Sequence, residues 1–156
     1  MKIVYQSKTG FTEKYAKMLG ERLGITPIRL KDYRPATDDE IIFLSWVTAN
    51  GIAKLSKVKG KCKIKCIGAV GLAVPSEENT NNLLNANKIC DIPLFYLRGG
   101  VDFTKLKGLT KWLMKTIVKS DIKKNVIVGD SETILTKGIS FVSEDNLDEI
   151  TTFIRS

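Results

Sequence analysis

Three hydroxyl side chains and a glycine, Ser7, Thr9, Thr12 and Gly10, crowd into the stretch SKTGFT. They stand between a β-branched run, Lys2 to Gln6, and a segment from Thr12 to Leu23 that places Tyr15, Ala16, Leu19 and Leu23 at helical spacing before Gly24. A helix N-terminus leaves backbone N–H groups without intrahelical partners and carries partial positive charge. A phosphate placed there gains several hydrogen bonds without a paired lysine. Ser7, Thr9 and Thr12 add hydroxyl donors, and Gly10 lets the backbone bend close to a ligand. Such a donor set suits a phosphate monoester. Ordinary capping of the helix by Thr9 or Thr12 accounts for the same two threonines without any ligand.

Absent residues narrow the chemistry. The dinucleotide fingerprint needs three glycines where only Gly10 stands, and the Walker sequence needs a Gly-Lys-Ser/Thr that this loop lacks. A phosphoaspartate receiver calls for acidic residues at the end of the first strand, where Tyr5, Gln6 and Ser7 stand; a Cys-x5-Arg phosphatase calls for a cysteine in this loop. The chain has no histidine, which excludes imidazole bases and histidine-ligated metals, and no metal site is expected. Cys62, Cys66 and Cys90 form neither an even framework nor a C-x-x-C pair, and the N-terminus lacks the apolar region of a signal peptide. The expected setting is a reduced cytoplasm. No apolar run approaches the roughly 20 residues of a membrane span, so any membrane contact is expected to be peripheral.

A formal net charge of +8 is spread along the chain rather than gathered into an arm, so nucleic acid is not the expected partner. The densest stretch is Lys54, Lys57, Lys59, Lys61, Lys63 and Lys65. It reads as a solvated helix end and loop leading into a strand, or as a docking patch for a negative partner.

The elements that must position these residues follow from periodicity. Pro27 to Leu30 reads as a short second strand, and Lys31 to Glu40 as a surface connection. The continuous apolar runs Glu40 to Val47 and Ile64 to Val74 read as strands buried on both faces, as a parallel sheet requires. Asn50 to Lys59 reads as a short helix or loop, TNNLLNAN as a helix and Ile92 to Gly100 as a fifth strand. Phe103 to Lys119 reads as an amphipathic helix carrying Leu106, Leu109, Leu113, Met114 and Ile117. The tail from Ser143 opens with a good helix start and carries Leu147, Ile150 and Ile154 inward. Alternating strands and helices over 156 residues predict a single α/β domain, 1–156, with a parallel sheet covered on both sides. Ligands of such folds bind beyond the carboxyl ends of the strands, where strand order reverses.

With SKTGFT in that position, the chain resembles the flavodoxin family, whose phosphate loop reads Ser/Thr-x-Thr-Gly-x-Thr. It is similar in particular to a subgroup of flavodoxin-domain proteins that includes the menaquinone-dependent protoporphyrinogen dehydrogenases. FYLRGGVDFTKLKGLTKWLMKTIVK looks like that subgroup's Arg-Gly-Gly-x-Asp turn and Leu/Met-rich helix, and GISFVSEDNLDEITTFIRS like its closing strand and helix. The resemblance implies a three-layer flavodoxin-like fold, a five-stranded parallel sheet in the order 2-1-3-4-5 and an FMN cofactor. Ser7, Thr9, Gly10 and Thr12 would hold the FMN phosphate, with Lys8 and Phe11 contributing backbone N–H groups. The loop Ser45 to Gly51, with Trp46, Val47, Thr48, Ala49, Asn50 and Gly51, would pass one side of the isoalloxazine, and Gly71 to Ser76 the other. The aromatic that relatives carry in the first of these loops is missing, and Trp46 is either a stacking partner or core. Arg98 reads as an internal partner of Asp102 or as an anion contact.

The function implied is that of an FMN-dependent oxidoreductase passing electrons from a donor to a quinone, a porphyrinogen or an acidic redox protein. Two alternatives stay open. One is a flavodoxin-type electron carrier without its own small substrate; the other is a flavin-free interaction module.

Overall fold

Ile3, Val4 and Tyr5 form the buried centre of a strand, β1 (Lys2–Gln6), flanked on both sides by parallel neighbours. In the computed structural model, which describes residues 1–49 and 51–156, the chain divides into two compact units. The first comprises residues 1–99 and 142–156, and the second residues 100–141.

In the first unit β1 is followed by α1 (Phe11–Leu23), β2 (Ile28–Arg29), β3 (Glu40–Thr48), β4 (Gly51–Ile52), β5 (Lys63–Gly71), α2 (Glu77–Ala86) and β6 (Leu94–Arg98). Five parallel strands run in the order β2-β1-β3-β5-β6, and β4 folds back antiparallel on the end of β3. Without the small β4, this is the expected 2-1-3-4-5 order. The architecture is α/β with a mostly parallel sheet flanked by helices, as in the flavodoxin-like three-layer fold.

Alternation along the strands sorts the core into two clusters. Ile3, Tyr5, Ile42, Leu44 and Leu97 meet Tyr15, Ala16 and Leu19 of α1 on one face, together with Leu147 and Ile150. Val4, Ile41, Phe43, Ile67 and Ala69 meet Leu55, Val58 and Leu83 on the other. Leu147 ends a 3₁₀ turn, and Ile150 belongs to the C-terminal helix of this unit, Asp148–Arg155; Ile154 packs against the first cluster while partly exposed.

In the second unit, strands Gly100–Asp102 and Gly138–Ser140 pair antiparallel, apart from the parallel sheet. In chain order these are β7 (Gly100–Asp102), α3 (Gly108–Lys123), α4 (Ser131–Lys137) and β8 (Gly138–Ser140), and the C-terminal helix is α5. The long helix begins five residues later than its periodicity suggests. Asp102 accepts hydrogen bonds from the Thr104 N–H (3.0 Å) and hydroxyl, and Lys105 N–H donates to the Asp102 carbonyl, so residues 102–105 close a turn instead of a helical start. Its apolar side also differs from expectation. Phe103 and Leu106, ahead of the helix, are buried, as is Val118 within it, whereas Leu109 is 77% and Trp112 65% exposed, and Leu113 and Ile117 are exposed too.

Tyr15 is fully buried, and its hydroxyl donates to the Arg98 carbonyl at 2.5 Å while accepting from Asn146 Nδ2 at 2.6 Å. Burial pushes its ionisation above the ordinary tyrosine range. Tyr15→Phe leaves the shape of the core and removes this shared hydroxyl, with an expected loss of about 1–3 kcal/mol in a urea melt. A loss indistinguishable from zero would show that the hydroxyl does not tie α1 to the end of β6.

Candidate functional site

Strand order reverses at β1 and β3, because β1 continues to β2 on one side while β3 continues to β5 on the other. The loop leaving β1 at its carboxyl end therefore opens onto the sheet edge where such folds take ligands. Ser7, Thr9, Gly10 and Phe11 are half-buried there, Lys8 is exposed and Thr12 is buried. Gly10 adopts φ 101°, a left-handed conformation that glycine takes without a Cβ penalty, and it caps α1 from outside the helix. Its N–H donates to Ser7 Oγ at 3.1 Å, which leaves the Ser7 hydroxyl proton to point elsewhere.

The residue at the N-cap of α1 is Gly10, which has no side-chain oxygen to offer the first-turn amides. Thr9 precedes this glycine and Thr12 lies in the first turn, so neither threonine occupies the N-cap position itself. An anion in the loop would meet the helix's positive end and hydroxyl donors together.

The neighbouring ion pairs leave the loop electropositive on balance. Arg29 donates from Nη2 to both Glu13 oxygens at 3.0 Å and from Nε to the Tyr5 hydroxyl at 3.0 Å, while Lys17 approaches the same carboxylate at 3.1 Å. Lys17 first, and Arg29 after it, hold the Glu13 carboxyl below its ordinary range. Sequence spacing gives no hint of the Tyr5–Arg29–Glu13 cluster, because parallel pairing of β1 with β2 is what sets Arg29 beside Tyr5.

The segment expected as a flavin loop after the third strand is mostly strand. Ser45, Trp46, Val47 and Thr48 continue β3, and Thr48 pairs with Gly51 across a tight turn that contains Ala49. Asn50 lies outside the described residues. Ser45 is fully buried and donates its hydroxyl to the Ala53 carbonyl at 2.7 Å; Thr48 donates to the Gly51 carbonyl at 3.0 Å. Val47 packs against the second apolar cluster. Trp46 is half-exposed, belongs to neither cluster, and by alternation shares the face of Ile42 and Leu44, which is the face covered by α1. Of these residues it is the one placed to offer a ring at the site.

Two supports escaped the sequence reading. Asn87, just past α2, accepts from the Ile52 N–H at 3.1 Å and donates to the Leu83 carbonyl at 2.7 Å, pinning the hairpin. Tyr96 accepts from the Ala73 N–H at 3.1 Å, and the Gly99 N–H donates to the Gly71 carbonyl at 2.7 Å, so the loop after β5 is held by β6 and the residue following it. Ser76 caps α2 through the Asn79 N–H at 3.1 Å. Arg98 ends β6, and the Asp102 carboxylate is engaged by Thr104 and by Lys105 at 3.6 Å.

Among the described residues no group of histidine, cysteine, aspartate and glutamate is arranged to hold a metal, and no helix is long and apolar enough to cross a membrane. Fold and site together define an α/β protein with a hydroxyl-rich loop at the switch point of its mostly parallel sheet. The chain matches no family model and no curated protein.

Because the Glu13 carboxyl is held below its ordinary 4.5 in the folded chain, its pairing contributes stability above the unfolded value and loses it as pH falls through the folded value. The difference in melting temperature between the wild type and Glu13→Gln is expected at neutral pH and to shrink progressively as the pH drops below about 4.5. A pH-independent difference would assign the effect to something other than this charge.

Proposed function

We propose that the protein is an FMN-dependent redox protein. The observation that carries this reading is the start of α1 at a left-handed Gly10, with Ser7, Thr9 and Thr12 in the same loop and first turn, at the switch point of a parallel sheet. A phosphate monoester meets backbone N–H groups and hydroxyl donors there, with Lys8 and Phe11 supplying further amides. Trp46 offers a partly exposed ring on the same face, and Thr48 and Gly51, paired at the end of β3, stand next to it in the chain. When bound, the flavin supplies the electron-accepting and electron-donating chemistry. The protein's residues hold the phosphate, shape the ring's surroundings and restrict water, and no general acid or base is demanded.

The electron donor and acceptor are proposed as diffusible partners, with a quinone, a porphyrinogen or an acidic redox protein as acceptor in a cytoplasmic setting. A lipid-dissolved acceptor is favoured by α3. Its exposed Leu109, Trp112, Leu113 and Ile117 follow helical spacing, and Lys111, Lys115, Lys119 and Lys123 run alongside against a single acid, Asp121. An apolar stripe bordered by lysines is the pattern of a helix lying in the surface of an anionic bilayer.

FMN titration of the purified chain, followed by flavin fluorescence and visible absorbance, tests the cofactor. Saturable quenching is expected, weakened at least about tenfold by Thr9→Val with Thr12→Val in a variant whose circular dichroism is unchanged. Absence of binding by the folded wild type overturns the redox reading and leaves a flavin-free interaction module.

Vesicle sedimentation tests the helix. Partition onto phosphatidylglycerol-containing vesicles is expected to exceed that onto neutral phosphatidylcholine and to fall with salt, and Leu113→Asp with Ile117→Asp is expected to reduce it by about tenfold or more. Equal partition by variant and wild type would remove α3 from the contact, and a soluble carrier role would then be favoured.

A further inference from the structure

The lysine-rich stretch singled out in the sequence does not act as one face. Lys59 turns back to donate to the carbonyls of Asn87 at 2.7 Å and Lys88 at 2.6 Å, and Lys65 approaches Glu40 at 4.0 Å. Lys54, Lys57 and Lys61 instead line a cleft of about 410 Å³ together with Lys31 and Arg34. Five cationic side chains thus meet in one concavity, with no carboxylate among its described lining residues. None of the five forms an ion pair among the described residues.

The cleft is built by several elements of the first unit. Lys31 lies in the 3₁₀ turn after β2, Lys54 and Lys57 at the 3₁₀ turn after β4, and Lys61 just before β5. Arg34 is oriented by donating from Nη1 to the carbonyls of Lys31 at 3.2 Å and Tyr33 at 3.3 Å. Leu30, Tyr33 and Pro35 supply an apolar wall. Tyr33 is nearly fully buried and fixed through its hydroxyl, which donates to Asp39 at 2.9 Å. Lys54 takes φ 59°, a left-handed conformation in which glycine would be unstrained, and it carries a cation into the cleft from there.

Like charges gathered without counter-charge repel one another, and a bound anion relieves that repulsion while gaining charge-assisted hydrogen bonds. A single monovalent anion cannot answer five cations. We propose that this cleft binds a small multivalent anion, bearing two or more phosphate or carboxylate groups, with an apolar portion against Leu30, Tyr33 and Pro35. The site is separate from the phosphate loop, although a smaller cavity of about 140 Å³ shares Gln6, Leu30 and Lys31 with it and reaches Ser7. A ligand held in the cleft therefore lies beside the proposed FMN phosphate, where a soluble electron donor or an anionic substrate has access. Its existence does not rest on FMN binding.

The test uses the full chain and two probes, inorganic pyrophosphate and citrate, at physiological ionic strength, read by amide chemical shifts. Saturable shifts are expected in residues 30–35 and 54–61. Lys57→Gln with Lys61→Gln is expected to weaken binding about tenfold or more, while Lys111→Gln with Lys119→Gln, which removes the same charge elsewhere, changes it less than about twofold. Tighter binding of pyrophosphate assigns phosphates as the natural groups, and tighter binding of citrate assigns carboxylates. Equal weakening by both double variants would reduce the effect to overall charge and overturn the proposal. Shifts confined to residues 7–12 would overturn it as well, by placing the anion in the loop of α1. The FMN titration of Lys57→Gln with Lys61→Gln, expected to match the wild type, keeps failure of this site distinct from failure of the cofactor reading.

Discussion

Because Ile41 and Phe43 fill one apolar cluster while Ile42 and Leu44 fill the other, β3 cannot slip by one residue against β1 or β5 without exchanging its two sets of side chains between the cores. That constraint holds the rest of the first unit in place. Gln6 is registered against Ser45 and Trp46 against Val70, so the ends of three strands reach the same edge together. Only with that edge aligned do the loop after β1, the hairpin after β3 and the loop after β5 become neighbours of one another.

The edge is then shaped by polar ties that have little to do with strand propensity. Tyr15 links α1 to the Arg98 carbonyl, Tyr96 and the Gly99 N–H hold the loop after β5, and Asn87 pins the hairpin that follows β3. Each joins a side chain or backbone group to a backbone segment at the end of a strand or in a loop. The start of α1 differs from the other helix starts in the residue that occupies its N-cap. Where Ser76 and Asp130 cap their own helices through side-chain oxygens, α1 begins at a glycine. The left-handed φ of 101° at that position is one glycine takes without a Cβ penalty.

Positive charge is distributed to two different ends in the two units. In the first it converges on a cleft with an apolar wall, and in the second it borders an exposed apolar helix. The same residue type therefore serves opposite geometries. A concave arrangement concentrates potential on a small anion, while a row along a helix matches an extended anionic surface.

The strands β1, β2, β3, β5 and β6, the helices α1 and α2, the parallel α/β class and the position of the hydroxyl loop were legible in the sequence, because they depend on local periodicity and on which residue types crowd together, whereas β4, β7 and α4 were not. The run of apolar residues in β3 and β5 announced strands buried on both faces, and Gly24 marked the end of α1. Other features depended on contacts between residues far apart in the chain, and no local pattern carries those. Trp46 was readable as an aromatic near a strand end, yet its half-exposed place on the α1 face follows from the register of β3. The lysine run read as a solvated surface or a docking patch, and only folding turned Lys59 and Lys65 to partners and brought Lys31 and Arg34 to Lys54, Lys57 and Lys61. The apolar stripe of α3 was evident from spacing, whereas its exposure, with Phe103 and Leu106 ahead of the helix buried instead, was not. Periodicity tells which side of an element is apolar, and only the tertiary structure decides whether anything covers that side.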